Sequence, residues 1–336
     1  MKEAYLYEKQ SGGKVRCLLC NHYCLITDGK RGLCCVRENN DGTLYSLVYE
    51  KLISASVDPI EKKPFFHFLP GSKAFSIATV GCNFRCLHCQ NHEISQLPKD
   101  REGITGEKVS CEEIVAMALK YNCASISYTY TEPTIFFEYA YDTAKIAHKK
   151  GIKNTFVTNG YMTVEALDMI APYLDGANVD IKSFSEKFYK TVCSAKLRPV
   201  LEGIKKMKDL GIWVEITTLI IPTLNDSEEE LREVARFVLS VSPEIPWHVS
   251  AFYPTYQMLD KPRTPLEIIR QAREIGLKEG LKYVYSGNIP GDEGEDTSCY
   301  HCKNVLIRRW GYQISENSIT EGKCPHCGTP IDGVWQ

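Results

Sequence analysis

No uninterrupted apolar run in this chain of 336 residues approaches the roughly 18 residues of a membrane span. Its first ten residues, MKEAYLYEKQ, lack the apolar core of a secretory signal. Together these absences predict a cytoplasmic protein. An excess of charge is missing too. Forty Lys and Arg face 42 Asp and Glu, a net charge of −2, which leaves no electrostatic case for a nucleic-acid or membrane partner. Hydrophobic content of 43% and charged content of 24% are ordinary for a globular protein. The length suits two domains, or one barrel with appendages.

Cysteine, by contrast, is abundant: the chain has 15. Most fall into three clusters, and Cys35, Cys111, Cys123 and Cys193 are scattered. A disulfide framework belongs to short secreted chains, whereas close thiol pairs in an intracellular enzyme read as metal ligands. So many thiolates suit an oxygen-poor, anaerobic cell. The central cluster, GCNFRCLHCQN, sets Cys82, Cys86 and Cys89 at Cys-x3-Cys-x2-Cys spacing. Three thiolates on one loop can hold three irons of a four-iron cluster. Four-cysteine ligation is the usual arrangement, so a triplet leaves one iron open, and open positions are where catalytic metals work.

The first cluster is Cys17-x2-Cys20-x3-Cys24-x9-Cys34, among glycines and charges that indicate loops. It fits a closed zinc site or a second iron–sulfur cluster. The last cluster comprises two Cys-x2-Cys pairs, Cys299 with Cys302 and Cys324 with Cys327. That is the pattern of a zinc-ribbon or rubredoxin-like module, holding zinc or iron. Zinc would staple a segment too small to have a core of its own.

Between Ala74 and Gly287 apolar strand-like runs alternate with helical patterns. Seven strands and about six helices are predicted: AFSIATV, ASISYTY, KNTFVTNG, GANVDIK, WVEITTLII, WHVSAFYP and KYVYSG are the strands. Repeated units of this kind specify parallel strands with right-handed crossovers. The fold class is therefore α/β, an incomplete (β/α)6-type TIM barrel over 74–290. A Cys-rich cap with a β-hairpin precedes it (1–73) and the C-terminal module follows (291–336). Ser110 and Thr163 are expected helix caps, Pro133 the first residue of a helix, and Asn225 and Asp226 the start of another. His67 reads as a packing histidine, and Asp292–Asp296 as a solvated linker. Loops at strand C-termini build the site in such folds. The cysteine loop, Thr131-Glu132-Pro133, Thr158-Asn159-Gly160 and Asp180-Ile181-Lys182 all lie there and are expected to converge.

Cys82–Cys89 together with PIEKKP, VTNG and DIK resembles the radical S-adenosylmethionine (radical SAM) superfamily, on the branch of pyruvate formate-lyase activating enzymes. RCLLCNHYC, RGLCCVREN, DPIEKKP, HFLPGS, TYTEPTIF, FVTNGYM and HVSAFYP look more closely like the radical SAM enzymes of the AmmeMemoRadiSam system. The resemblance implies a [4Fe–4S] cluster and S-adenosylmethionine (SAM), cleaved reductively to a 5′-deoxyadenosyl radical that takes hydrogen from a substrate. It also implies that His88, Gln90, Thr131, Glu132, Thr158, Asn159, Asp180 and Lys182 contact SAM. Glu132 would receive the methionine ammonium, Asp180 and Lys182 would lie near ribose and carboxylate, and His88 near adenine. Val157 stands where many activating enzymes have a cation-binding Asp, so that site is not implied. Implied partners are an electron donor such as ferredoxin or flavodoxin, and Memo-like and AMMECR-like proteins. The substrate would be a small or amino-acid-derived molecule; the alternatives are a glycyl-radical enzyme activated by this chain, or a non-catalytic metal-binding adaptor.

Overall fold

Eight strands form one sheet in the computed structural model, which describes residues 1–101 and 103–336. They are β1 (Ser54–Pro59), β2 (Lys73–Ala78), β3 (Ser125–Tyr128), β4 (Lys153–Thr158), β5 (Gly176–Asp180), β6 (Trp213–Ile220), β7 (Trp247–Ala251) and β8 (Val284–Gly287). Their order in the sheet follows the chain from β1 at one edge to β8 at the other. Strands β2 to β8 run parallel to one another. All four residues of β3 and all five of β7 are buried. Burial along a strand's whole length means that it is covered on both faces.

The helices are α1 (Cys111–Lys120), α2 (Phe137–Lys149), α3 (Val164–Ile170), α4 (Leu197–Asp209), α5 (Glu228–Val241) and α6 (Leu266–Glu279). Ser110 caps α1 in a full capping box with Glu113, and Thr163 caps α3. Pro133 stands first as expected, in a 3-10 turn, Pro133–Phe136, that runs into α2 at Phe137. One expected start is displaced. The cap of α5 is Ser227, whose side chain accepts from the Glu230 amide. Asn225 and Asp226 instead hold the preceding turn, accepting from the Ile221 and Thr223 amides.

Upstream of the sheet, Arg37–Asn40 and Thr43–Ser46 pair as an antiparallel hairpin. Strand β1 pairs antiparallel with β2 and extends the main sheet. The cysteine-rich segment shares its core with the sheet: Val15, Leu19, Ile26 and Val36 pack in one cluster with Phe84, Ile135 and Met162. Asn21 donates to the Tyr161 and Met162 carbonyls, and Thr163 Oγ1 to that of Leu18, which fixes this segment over the start of α3.

Downstream, β9 (Thr297–Ser298), β10 (Val305–Trp310) and β11 (Gln313–Asn317) form a small antiparallel sheet. Its core, with Leu306, Ile307 and Ile331, is shared with Tyr285 of β8, with Tyr283 just before that strand, and with Phe66. The reading of Asp292–Asp296 as a solvated linker is overturned. Buried Glu295 accepts from the Gly291 and Gly311 amides, and Asp292 pairs with Arg270. His67 is buried at the same joint, in hydrogen-bond contact with the Asp332 carbonyl and the Tyr285 hydroxyl. Among the described residues no helix is long and apolar enough to cross a membrane.

Candidate active site and metal centres

Strand β2 delivers the chain to Gly81, whose φ of +108° suits glycine. A Cβ there would lie 2.7 Å from Val36 Cγ1, so only glycine lets the cysteine loop approach the N-terminal segment. Beyond it, the Arg85 and Leu87 amides donate to the Cys193 and Val192 carbonyls, clamping the loop to the turn Tyr189–Cys193. Cys82 Sγ receives the Phe84 amide at 3.4 Å, and Cys89 Sγ meets Ser95 Oγ at 3.1 Å. Burial pushes the Cys82 and Cys89 thiols above their ordinary range. For Cys86 the largest cause of its raised value is a hydrogen bond to Cys193, ahead of burial. A bound cation reverses such shifts, because a coordinating thiol is deprotonated outright.

All three thiols line a cavity of about 390 Å³, within the range of small-molecule sites. The same cavity is lined by His88, Gln90, Thr131, Glu132, Thr158, Asn159, Asp180 and Lys182. Thus the residues expected at successive strand ends do converge. Glu132 is buried, and its carboxylate accepts from the Thr134 amide, Thr158 Oγ1 and the Asn159 amide at 3.0, 2.7 and 2.8 Å. Only the Asn159 amide bonds Oε2, which leaves that oxygen able to accept from an incoming ammonium. Burial raises the Glu132 pKa, and these donors oppose the shift. Lys182 Nζ pairs with Asp180 Oδ2 at 3.0 Å. Desolvation works against the Lys182 ammonium, but Asp180, Cys86 and Cys193 outweigh it and raise its pKa. His88 is pushed down to about 3 by burial and by Lys182, so its ring is neutral.

Gly160 ends this arc at φ +70°, and a Cβ on Gly203 of α4 would lie 2.7 Å from its carbonyl oxygen. Close packing of α4 under the Asn159-Gly160 turn holds that turn in place.

Several lining residues were not expected. Lys63 and Tyr130 face the cavity, as do His248 of β7 and Tyr312 at the tip of the β10–β11 hairpin. Lys63 lies in the PIEKKP stretch that carries the family resemblance, the one signal for it. Tyr312 carried none, because it reads as a solvent-facing turn residue.

The C-terminal quartet has the geometry of a single-ion site. Cys299 and Cys327 sulfurs are 3.7 Å apart and those of Cys302 and Cys324 are 3.6 Å apart. A tetrahedron with metal–sulfur bonds of about 2.3 Å has an edge of about 3.8 Å. Asn304 donates to Cys302 Sγ at 3.3 Å, and this contact, first among its causes, draws the Cys302 thiol down to about 6. Among the described residues this is the one set of three or more metal-ligating side chains whose donor atoms all lie within 4.8 Å of one another. Cys82, Cys86 and Cys89 are spread wider. That suits a cluster, in which each thiolate takes a different iron.

A parallel α/β sheet with a three-cysteine loop at a strand C-terminus, opening on a polar cavity, is the arrangement of a metal-dependent α/β site. Residues 76–238 match the model of the radical SAM superfamily. An uncharacterised protein of Methanocaldococcus jannaschii is 48% identical over 99% of this chain and 100% of its own length. A putative glycyl-radical enzyme activating enzyme of the same organism is 26% identical, over 62% of this chain and 78% of that protein. Among solved structures, a radical SAM methyltransferase from Sphaerobacter thermophilus superposes with a TM-score of 0.51 at 16% identity, over 68% of this chain and 71% of that one. The matched segment and the activating-enzyme relatives support the radical SAM superfamily. A radical SAM domain implies a [4Fe–4S] cluster and SAM, and the open loop and the cavity beside it fit both.

Proposed function

We propose that this protein is a radical SAM oxidoreductase acting on a small or amino-acid-derived substrate within an AmmeMemoRadiSam-type system. Cys82, Cys86 and Cys89 hold the cluster, and the cavity residues from His88 to Lys182 hold SAM. When bound, these groups supply a 5′-deoxyadenosyl radical that abstracts hydrogen. The protein's own part is to bind, orient and exclude water. Glu132 Oε2 orients the methionine ammonium, Lys182 and Asp180 hold the opposite wall, and neutral His88 offers a flat ring without a competing charge. In this reading the eight-stranded sheet is an incomplete barrel, the C-terminal quartet carries zinc, and a ferredoxin or flavodoxin supplies electrons. Memo-like and AMMECR-like proteins act on the same substrate or its product.

The observation that carries the reading is the convergence of three cysteines and four strand-end polar segments on one cavity. Glycyl-radical activation is the second reading, favoured by the names of the more distant relatives. Against it, Glu61, Lys63, Pro64 and Phe66 line the cavity from one side and Gly311 and Tyr312 from another. This covering favours a small substrate over a protein loop. Anaerobically reconstituted protein given dithionite and SAM is expected to release 5′-deoxyadenosine, and Cys86→Ser to release none. Absence of the nucleoside from the wild type would overturn the proposal in favour of a metal-binding adaptor.

A further inference from the structure

The N-terminal cysteines do not close on one another as the C-terminal quartet does. Cys17, Cys20, Cys24 and Cys34 line a separate small cavity, together with Arg37 and Asn83. No three of them share the 4.8 Å grouping that marks the C-terminal site. In this they behave like Cys82, Cys86 and Cys89.

Two polar side chains on this cavity strengthen the case. Arg37 is 1% exposed; its Nη2 is bound to Glu138, while Nε and Nη1 are buried without a partner. Asn83 is 3% exposed, its Oδ1 accepts from Asn159 Nδ2 at 2.7 Å, and its Nδ2 is likewise buried without a partner. Unpaired buried donors are costly and call for an acceptor. Both lie on the wall of a cavity otherwise lined mainly by thiols and apolar groups. The acceptors they lack are supplied by sulfide: an iron–sulfur cluster held by four cysteines is anionic, and its inorganic sulfurs take N–H hydrogen bonds. A zinc ion brings no acceptor of its own.

We propose that Cys17, Cys20, Cys24 and Cys34 hold an auxiliary iron–sulfur cluster, with Arg37 and Asn83 donating hydrogen bonds to its sulfides. Asn83 follows Cys82 in the chain, and His22 of the N-terminal loop contacts its carbonyl at 2.9 Å. The cluster therefore sits next to the loop proposed to hold the first one, although the site itself does not depend on that reading.

Iron, zinc and acid-labile sulfide per chain test the proposal in full-length protein reconstituted anaerobically. The Cys82→Ala/Cys86→Ala/Cys89→Ala variant is expected to retain about four sulfides, or about two for the smaller cluster type, with matching iron and Mössbauer signals of that type. Further replacement of Cys20 and Cys24 by Ala is expected to remove them. Zinc without sulfide in the triple variant would overturn the assignment, as would sulfide that survives the loss of Cys20 and Cys24. Should the combined variant not fold, the wild type decides. About eight or six sulfides support a second cluster, and about four with the triple variant at zero excludes it. A triple variant equal to the wild type would count against the first cluster and leave this one standing.

Discussion

Lys63 Nζ stands 2.8 Å from Asp58 Oδ2, with the two side chains only 2% and 7% exposed. The pair joins β1 to the cavity wall. Tyr130, held at φ +61°, donates its hydroxyl to Asp58 and presents its ring to the Lys63 ammonium at 4.0 Å. Truncating one member of a buried pair strands the other's charge, at a cost of about 3–5 kcal/mol. Lys62, 2.9 Å from the same carboxylate but 41% exposed, recovers part of that. Lys63→Met is therefore expected to lose about 2–3 kcal/mol in urea denaturation, and a loss below about 0.5 kcal/mol would show that the pair does not tie β1 to the cavity.

Acid is expected to loosen the joint between the C-terminal module and the sheet. His67 donates from Nδ1 to the Asp332 carbonyl at 2.6 Å and accepts the Tyr285 hydroxyl proton at Nε2. Tyr285 in turn contacts Thr297, whose hydroxyl oxygen accepts from Arg309. The ring is thus built in as neutral, and burial, the largest cause, pushes its pKa down to about 4 from 6.5. Because the folded value lies below the unfolded one, the contribution is complete above pH 6.5 and is lost as pH falls towards and through 4. The full effect is about 3 kcal/mol. Denaturation at pH 7.5 and 4.5 should show a smaller pH dependence in His67→Gln than in the wild type. Acid release of metal from the cysteine sites affects both proteins alike. Equal slopes would remove His67 from the account.

Strands β2 to β8 were legible because strand-like runs alternate with helices that carry their own signals, such as Ser110 or Thr163. Strand β1 was not. Its residues Ser54-Ala55-Ser56-Val57-Asp58-Pro59 are mostly small or polar, as an edge strand permits, and no local pattern shows that its partner lies beyond the loop at Phe65–Gly71. The site divides in the same way. Glu132, Asn159 and Asp180 were readable from their place at strand ends. Lys63, His248 and Tyr312 reach the cavity through tertiary packing of segments far apart in the chain. The two outer cysteine quartets differ in spacing, but either pattern admits zinc or iron, and only the C-terminal one closes on a single point in the structure.

Metal removal should act on the C-terminal module first. Its small core leans on Phe66, Tyr283 and Tyr285, and the quartet ties its two loops together. Apparent binding energies of structural metal sites reach about 10 kcal/mol or more, enough to decide whether such a segment folds. Cys324→Ser is expected to lose one metal ion per chain and to open the segment Lys303–Lys323 to limited proteolysis, with the sheet intact. The cavity then loses Tyr312, so release of 5′-deoxyadenosine without substrate should rise relative to substrate turnover. A module that stays protease-resistant without its ion would contradict this.

Cys193 offers the sharpest check on the open iron. Its side chain is fully buried and hydrogen-bonds Cys86, while its carbonyl clamps the cysteine loop through the Arg85 amide. A fourth thiol this close raises the question of whether the cluster is closed after all. The two roles separate by substitution. As a packing and positioning residue, Cys193→Ala keeps the backbone clamp and costs about 1 kcal/mol of stability, with iron content unchanged and SAM cleavage within about threefold of the wild type. As a ligand, its loss would deplete iron as Cys86→Ala does. Iron and 5′-deoxyadenosine measured side by side in the two variants are expected to give the first pattern. The second would mean four protein ligands on one cluster, with no iron left for the amino and carboxylate groups of SAM to reach.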